Sequence, residues 1–348
     1  MANETVLEVD GPDGVRKVRI SHPDRTVFPE SGLTKLDLAH YIEAVAGPFL
    51  RANGDRPVSL QRFRDSIDGE QFFSKNPPRG TPDYVRSVMV VYPSARSHPQ
   101  LVFDEPAAAV WAVQMGTVVF HPWPSRAENT DNPDQLRIDL DPQPGTDFGD
   151  AVPAALRLRE VLAEAGLEPY VKTSGNRGLH VFAPIRPERE FLDVRHAVIA
   201  AARELERRMP QQVTTAWWKE ERGQKVFVDF NQANRDRTMA GAYSPRALPH
   251  ASVSCPVTWD ELESVNPHDF TVLTVPKRLA EVGDPWEDFG ERPGGIDVLL
   301  SWWQRDLDDG LGELPFPPDY PKMPGEPPRV QPSKMVAENW DESGRRVD

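Results

Sequence analysis

Hydrophobic and polar positions alternate most sharply at Leu136-Arg137-Ile138-Asp139-Leu140-Asp141-Pro142. A period of two sends successive side chains to opposite sides of a strand. The pattern predicts a strand that feeds Leu136, Ile138 and Leu140 into a core. Asp139 and Asp141 then sit side by side on its other face, and Pro142 ends the ladder. Helical periodicity is clearest after Thr34-Lys35-Leu36-Asp37, which reads as a capping box with Asp in the acidic position. Behind it Leu38, Tyr41, Ile42, Val45 and Phe49 form one apolar stripe. A second helix is predicted over 150–165, with Pro153 in its first turn and Gly166 as its stop. A long third helix spans 188–209. Strands are predicted at 15–20, 85–92, 116–120, 170–172, 179–182 and 225–230, and 259–264 and 296–303 read as helical. From Gly310 onward eight prolines punctuate a non-periodic acidic stretch that reads as extended chain. The organisation expected is one mixed α/β body over 1–305 followed by an acidic, Pro-rich tail over 306–348.

Composition changes this picture little. The chain has 348 residues, 39% hydrophobic and 27% charged, enough for a sizeable core. No apolar run is long enough to cross a membrane, and residues 1–10 lack the basic and apolar regions of a signal peptide. Cys255 is the single cysteine, which excludes intrachain disulfides and Cys-rich zinc sites. A cytoplasmic protein with no membrane partner is expected. The net charge of −14 argues on its face against nucleic acid. Its distribution weakens that objection, because the residues after Cys255 include 20 acidic and 9 basic. The preceding body is close to neutral and has room for local basic grooves.

Candidate chemistry gathers on three segments. Asp139 and Asp141 on one strand face repel each other unless a cation lies between them, and hard oxygen ligands suit Mg²⁺ or Mn²⁺. Taken alone, an Asp-x-Asp reads more simply as a solvated acidic face. Lys225-Val226-Phe227-Val228-Asp229-Phe230 places a third carboxylate in an apolar strand, which is costly to bury unless bound. Between them, Thr173-Ser174-Gly175-Asn176-Arg177-Gly178-Leu179-His180 offers two glycines, hydroxyls and a cation in one turn. That is either a phosphate cradle with inward-pointing amides or an ordinary polar hairpin turn. Phe72 and Phe73 beside Gln61-Arg62-Phe63-Arg64 could stack bases, although two core phenylalanines in different layers is the simpler reading. His121 in His-Pro-Trp is, by itself, more simply structural.

The ordered set of Asp-x-Asp, Ser-Gly-x-x-Gly-Leu-His, Val-Asp-Phe-x-Gln and Ser-x-Arg, ending at Arg246, resembles the archaeo-eukaryotic primase superfamily. The closest likeness is to the polymerase domain of bacterial ligase D, over roughly 15–305. The resemblance implies an α+β primase-polymerase fold, with a mixed central sheet carrying the catalytic Asp residues and flanked by helices. It implies a nucleotidyltransferase that extends a primer 3′-hydroxyl, preferring ribonucleotides, in gap filling or non-homologous end joining. Asp139, Asp141 and Asp229 would hold two divalent cations, Mn²⁺ or Mg²⁺. Ser174, Arg177, His180 and Arg246 would hold the triphosphate of an NTP or dNTP, with His121 beside the nucleotide. Phe72, Phe73 and Arg62 would face template DNA, and Arg222 the primer strand. His22, Arg25 and Lys35 would form a pocket for the downstream 5′-phosphate of gapped or primer-template DNA. Lys35 is expected in the first turn of its helix, where free amides favour an anion.

Departures from the family pattern are Arg177 where Lys is common, His22 where an amide is typical, and Gln61 at a basic position. The chain has no adenylation Lys-x-Asp-Gly stretch, so it resembles a stand-alone primase-polymerase that would work with a separate DNA ligase or end-joining factors. Two other classes compete. A metal-dependent nuclease could use the same carboxylates but needs no triphosphate cradle. A non-catalytic nucleic-acid-binding protein would not need all three carboxylates.

Overall fold

The computed structural model of the chain describes residues 3–92, 96–235, 237, 239–316 and 330–334. It opens with the hairpin β1 (Glu4–Gly11) and β2 (Gly14–Ser21), then β3 (Thr26–Phe28) and β4 (Leu33–Thr34), which lead into α1 (Lys35–Ala44). The capping box forms as the sequence predicts: the Asp37 amide donates to the Thr34 hydroxyl and the Thr34 amide to the Asp37 carboxylate. The apolar stripe from Leu38 to Phe49 is buried, but two helices carry it rather than one. Val45 leaves helical geometry (φ −99°, ψ 6°) and α2 (Ala46–Asn53) restarts behind it. The cause is Pro48, which has no amide hydrogen for the Ala44 carbonyl and whose ring would clash with it in a continuous helix.

Four strands follow: β5 (Val58–Phe63), β6 (Gln71–Ser74), β7 (Arg86–Val91) and β8 (Ser97–Val102). Next come α3 (Pro106–Gln114) and β9 (Thr117–Pro122). Helix α3 has no counterpart in the predicted elements. Residues Ala107 to Val113 are all buried, so no polar face exists to set a period. The second half contains β10 (Gln135–Pro142), α4 (Phe148–Glu164), β11 (Tyr170–Thr173), β12 (Leu179–Pro184), α5 (Phe191–Arg208), β13 (Val213–Thr214) and β14 (Val226–Asp229). It closes with β15 (Pro256–Val257), α6 (Val275–Val282) and α7 (Asp297–Asp308). An Asp147–Asp150 capping box starts α4 earlier than expected, so Pro153 lies beyond the first turn. Over 259–264 only a single 3-10 turn forms, at Leu262–Ser264.

The central sheet has the order β13-β14-β10-β12-β11-β15 and is antiparallel except for β13 with β14. This is the mixed α/β architecture expected. Leu136, Ile138 and Leu140 are fully buried in a core shared with α4 and α5. The end of a smaller sheet, β6-β5-β9, reaches the opposite face. There Arg137 donates to the Pro122 carbonyl at 2.7 Å and the Trp123 carbonyl at 2.8 Å, pinning the end of β9 to β10. The polar face of β10 is therefore closed at Arg137 and accessible only from Asp139 onward.

The tail boundary expected after 305 falls inside α7, where buried Asp306 accepts from Arg207 at 3.1 Å. The body therefore continues at least to 308. Further on, Phe316 is buried against Phe191, and Arg195 stacks on its ring at 4.2 Å. The Pro332 carbonyl accepts from the Lys219 amide at 2.8 Å. Most of the remaining tail lies outside the described residues.

Candidate active site

Strand register builds the site. Asp139 lies directly opposite His180 on one side and Asp229 on the other, and His180 lies opposite Lys172. One row across four neighbouring strands therefore reads Lys172, His180, Asp139, Asp229, at the ladder spacing of about 4.8 Å. Asp141 follows two residues along β10 on the same face. His180 Nε2 stands 3.5 Å from Asp139 Oδ1.

The electrostatics call for a cation. Burial, then the like charges of Asp229 and Asp141, push the Asp139 carboxyl well above its usual range, against the pull of Lys172 and Arg246. Burial also raises Asp141, and a hydrogen bond from Gln143 and the charge of Arg177 oppose it. A set of oxygen donors carrying unbalanced negative charge fits Mg²⁺ or Mn²⁺. Asp229 also has protein partners of its own. Its Oδ1 accepts from the Asn231 amide at 2.9 Å and its Oδ2 from Gln232 Nε2 at 2.8 Å. Among the described residues no three His, Cys, Asp or Glu side chains converge as a metal-holding cluster. Each Asp229 oxygen keeps a second lone pair, so these bonds orient the carboxylate without exhausting it.

Beside the carboxylates is a pocket of about 210 Å³, lined by Asp139 and Asp141 together with Ser174, Arg177, His180 and Arg246. The turn between β11 and β12 shapes it. Ser174 Oγ accepts from the Asn176 and Gly178 amides, each at 3.1 Å, and the Ser174 carbonyl accepts from Arg246 Nη1 at 3.1 Å. Two amides expected to face an anion are thus spent on the serine. Side-chain donors at the pocket include Arg177, Arg246, His180 and the Ser174 hydroxyl. Gly178 packs so closely on β10 that a Cβ there would lie 2.4 Å from the Leu140 carbonyl oxygen. Gly178→Ala is therefore expected to destabilise the protein by about 2–4 kcal/mol. It should also displace the strand segment between Asp139 and Asp141. Thermal unfolding beside a nucleotide titration checks this, and a wild-type Tm would contradict the packing argument.

Other sequence candidates meet mixed outcomes. Phe72 and Phe73 are not core residues: β6 is a sheet edge, and they are 36% and 50% exposed. Arg62 stacks over Phe72 at 4.9 Å, and the Phe73 ring lies 5.7 Å from that of His121. His121 is buried at the end of β9 and does not line the carboxylate pocket. Arg222 turns inward. It is buried, lies 3.4 Å over the Phe227 ring, and donates to the Ala216 and Trp217 carbonyls and to Gln143. Gln143 in turn donates to Asp141 at 3.1 Å. Arg222 therefore braces Asp141 through Gln143.

His22, Arg25 and Lys35 share one corner of the fold, but the free helix amides expected there are engaged. The Lys35, Leu36 and Asp37 amides donate to the Arg25 carbonyl, the Pro23 carbonyl and the Thr34 hydroxyl. Lys35 is only 3% exposed and its Nζ donates to the Ser21 carbonyl at 2.9 Å and Gln114 at 2.7 Å. His22 is exposed at a φ of +51°, and Arg25 donates to the Arg64 carbonyl. An anion at this corner would have to be held by side chains. Sequence reasoning missed Lys172 and Gln143, whose roles appear only when strands and loops are paired.

Fold and site together define a class: a mixed α/β protein whose central strand presents paired carboxylates to a cationic pocket. The family model of the LigD primase-polymerase domain matches residues 34–286, and the chain belongs to that family. It is 35% identical over 277 residues to the multifunctional non-homologous end joining protein LigD of Pseudomonas aeruginosa, covering 78% of this chain and 33% of that protein. It is 30% identical over 279 residues to the bifunctional non-homologous end joining protein LigD of Bacillus subtilis, covering 80% and 45%. The chain thus spans less than half the length of these relatives. The solved polymerase domain of Mycobacterium tuberculosis ligase D in complex with DNA superposes with a TM-score of 0.71 at 28% identity, covering 79% of this chain and 98% of that one. Among the described residues no helix is long and apolar enough to cross a membrane.

Proposed function

We propose that the chain is a template-directed nucleotidyltransferase that adds nucleotides, ribonucleotides by preference, to a primer 3′-hydroxyl in short-gap or end-joining DNA repair. The observation that carries this reading is the meeting of Asp139 and Asp141 with Ser174, Arg177, His180 and Arg246 in one pocket. A nuclease needs the carboxylates but not four phosphate-directed donors beside them. Two divalent cations on Asp139, Asp141 and Asp229 would, when bound, supply charge neutralisation and activation of the hydroxyl. Arg177 and Arg246 offer charge-assisted bonds to a triphosphate, and the Ser174 hydroxyl and His180 fix its position. Phe72 and Phe73, exposed on the β6 edge, offer stacking faces for template bases, with His121 beside Phe73. The test is primer extension on gapped duplex with Mn²⁺ or Mg²⁺. Templated lengthening supports the reading, whereas shortening of the primer supports the nuclease.

In the same proposal, His22, Arg25 and Lys35 receive the downstream 5′-phosphate. Burial, with Arg25 nearby, lowers the Lys35 ammonium to about 8. A bound dianion would raise it again, so binding takes up a proton above that value. Affinity for 5′-phosphorylated gapped DNA is therefore expected to fall as pH rises past 8, by up to about tenfold per pH unit. The 5′-hydroxyl substrate, and Lys35→Met on either substrate, should show no such fall. Anisotropy titrations from pH 7 to 9.5 check this. A phosphate preference that ignores pH, or that survives Lys35→Met intact, would move the pocket elsewhere.

A further inference from the structure

Lys172 is fully buried in β11, at the end of the row that continues through His180 to Asp139. Its Nζ has three neighbours at hydrogen-bond distance: His180 Nδ1 at 2.6 Å, the Ala240 carbonyl at 2.9 Å and Ser254 Oγ at 2.5 Å. The carbonyl can only accept. The Ser254 hydroxyl donates its own proton to the Thr173 carbonyl at 2.8 Å, so its oxygen accepts from the lysine. An ammonium has three donors and no lone pair, which leaves Nδ1 as the third acceptor. The far side of the ring agrees. Nε2 faces Asp139 Oδ1 at 3.5 Å, where a proton on Nε2 has an acceptor. With Nδ1 accepting from the ammonium, the ring is neutral and its one proton lies on Nε2. Burial, then Arg246 and Arg137, pull the lysine well below its usual range against the attraction of Asp139, and the three acceptors around Nζ are what keep it an ammonium.

We propose that Lys172 is a positioning residue for nucleotide binding. By donating to Nδ1 it fixes His180 as the Nε2–H tautomer and turns that N–H toward Asp139 and the phosphate pocket. This rests on the reading of His180 as a triphosphate-facing residue. Without the lysine the imidazole can place its proton on Nδ1 and donate to Ala240 or Ser254. A bare Nε2 lone pair would then face the carboxylate and the incoming phosphates, turning an attraction into a repulsion.

The direct test is long-range ¹H–¹⁵N correlation of the His180 ring in the wild-type protein and in Lys172→Met. The wild type should give the Nε2–H pattern, and Lys172→Met should shift toward Nδ1–H. Nucleotide affinity should weaken about tenfold in Lys172→Met and in His180→Ala, and no further in the double variant. A wild-type Nδ1–H tautomer would overturn the proposal, because it requires the neutral amine to accept from the ring. So would an unchanged tautomer in Lys172→Met, or additive losses in the double variant. If Lys172→Met does not fold, the wild-type spectrum alone still decides the tautomer. Normal nucleotide binding by His180→Ala would instead remove the triphosphate role of His180, leaving the tautomer result to stand or fall separately.

Discussion

Asp139→Ala is expected to lower nucleotide addition by more than about a thousandfold while leaving the fold and DNA affinity in place. Removing one preorganised electrostatic group at a reacting centre costs about 10²–10³, and Asp139 stands between Asp229 and Asp141, where both proposed cations would need it. The variant should fold because Leu136, Ile138 and Leu140 on the opposite side of the strand supply the core contacts. Without metal it is expected to be at least as stable as wild type. The sign follows from the raised carboxyl: between its unfolded value of about 3.9 and the raised folded one, the folded protein holds a proton that the unfolded chain releases. Metal-free stability therefore falls as pH rises through that window, and the substitution removes this fall. Mn²⁺ should raise the wild-type Tm at neutral pH and have little effect on Asp139→Ala. Single-turnover extension and paired melts with and without Mn²⁺ measure both effects. Extension near the wild-type rate would remove the catalytic assignment.

Arg246→Ala should raise the KM for nucleotide about 10- to 100-fold and leave the Kd for gapped DNA within a factor of about two. A charge-assisted bond contributes roughly 1.5–3 kcal/mol. Arg246 is oriented by its bond to the Ser174 carbonyl at 3.1 Å, and Asp139 is its attractive charge partner. Arg246→Lys keeps the charge but loses the fork, so an intermediate KM is expected. Separate titrations of nucleotide and of DNA decide the matter. A loss confined to DNA affinity would mean that the guanidinium serves a nucleic-acid strand.

The division between what was legible in the chain and what was not follows the range of the interactions. Residues 136–142 declare a strand with one apolar face because that pattern repeats every two residues, and Thr34 with Asp37 declares a helix start within one turn. The order of the acidic, hydroxyl and basic motifs pointed to the family. The row Lys172, His180, Asp139, Asp229 is different in kind, because it exists only through the register of four strands from distant segments. Exposure of Phe72 and Phe73 depends on β6 lying at a sheet edge, which local alternation cannot specify. Burial of Arg222 depends on Phe227, Gln143 and two carbonyls gathering around it. The split between α1 and α2 was accessible in principle, since Pro48 stands inside the apolar stripe. Helix α3 offered only Pro106 as a start signal, because uniform burial removes its period.

Primer extension on a short-gapped duplex tests the central claim most directly. The duplex carries a downstream 5′-phosphate, and each single nucleotide is offered in turn with Mn²⁺. The account predicts addition of the complementary nucleotide to the 3′-hydroxyl, favouring ribonucleotides and absent in Asp139→Ala. Failure to add any nucleotide while gapped DNA and nucleotide both still bind, or a primer that shortens, would contradict it.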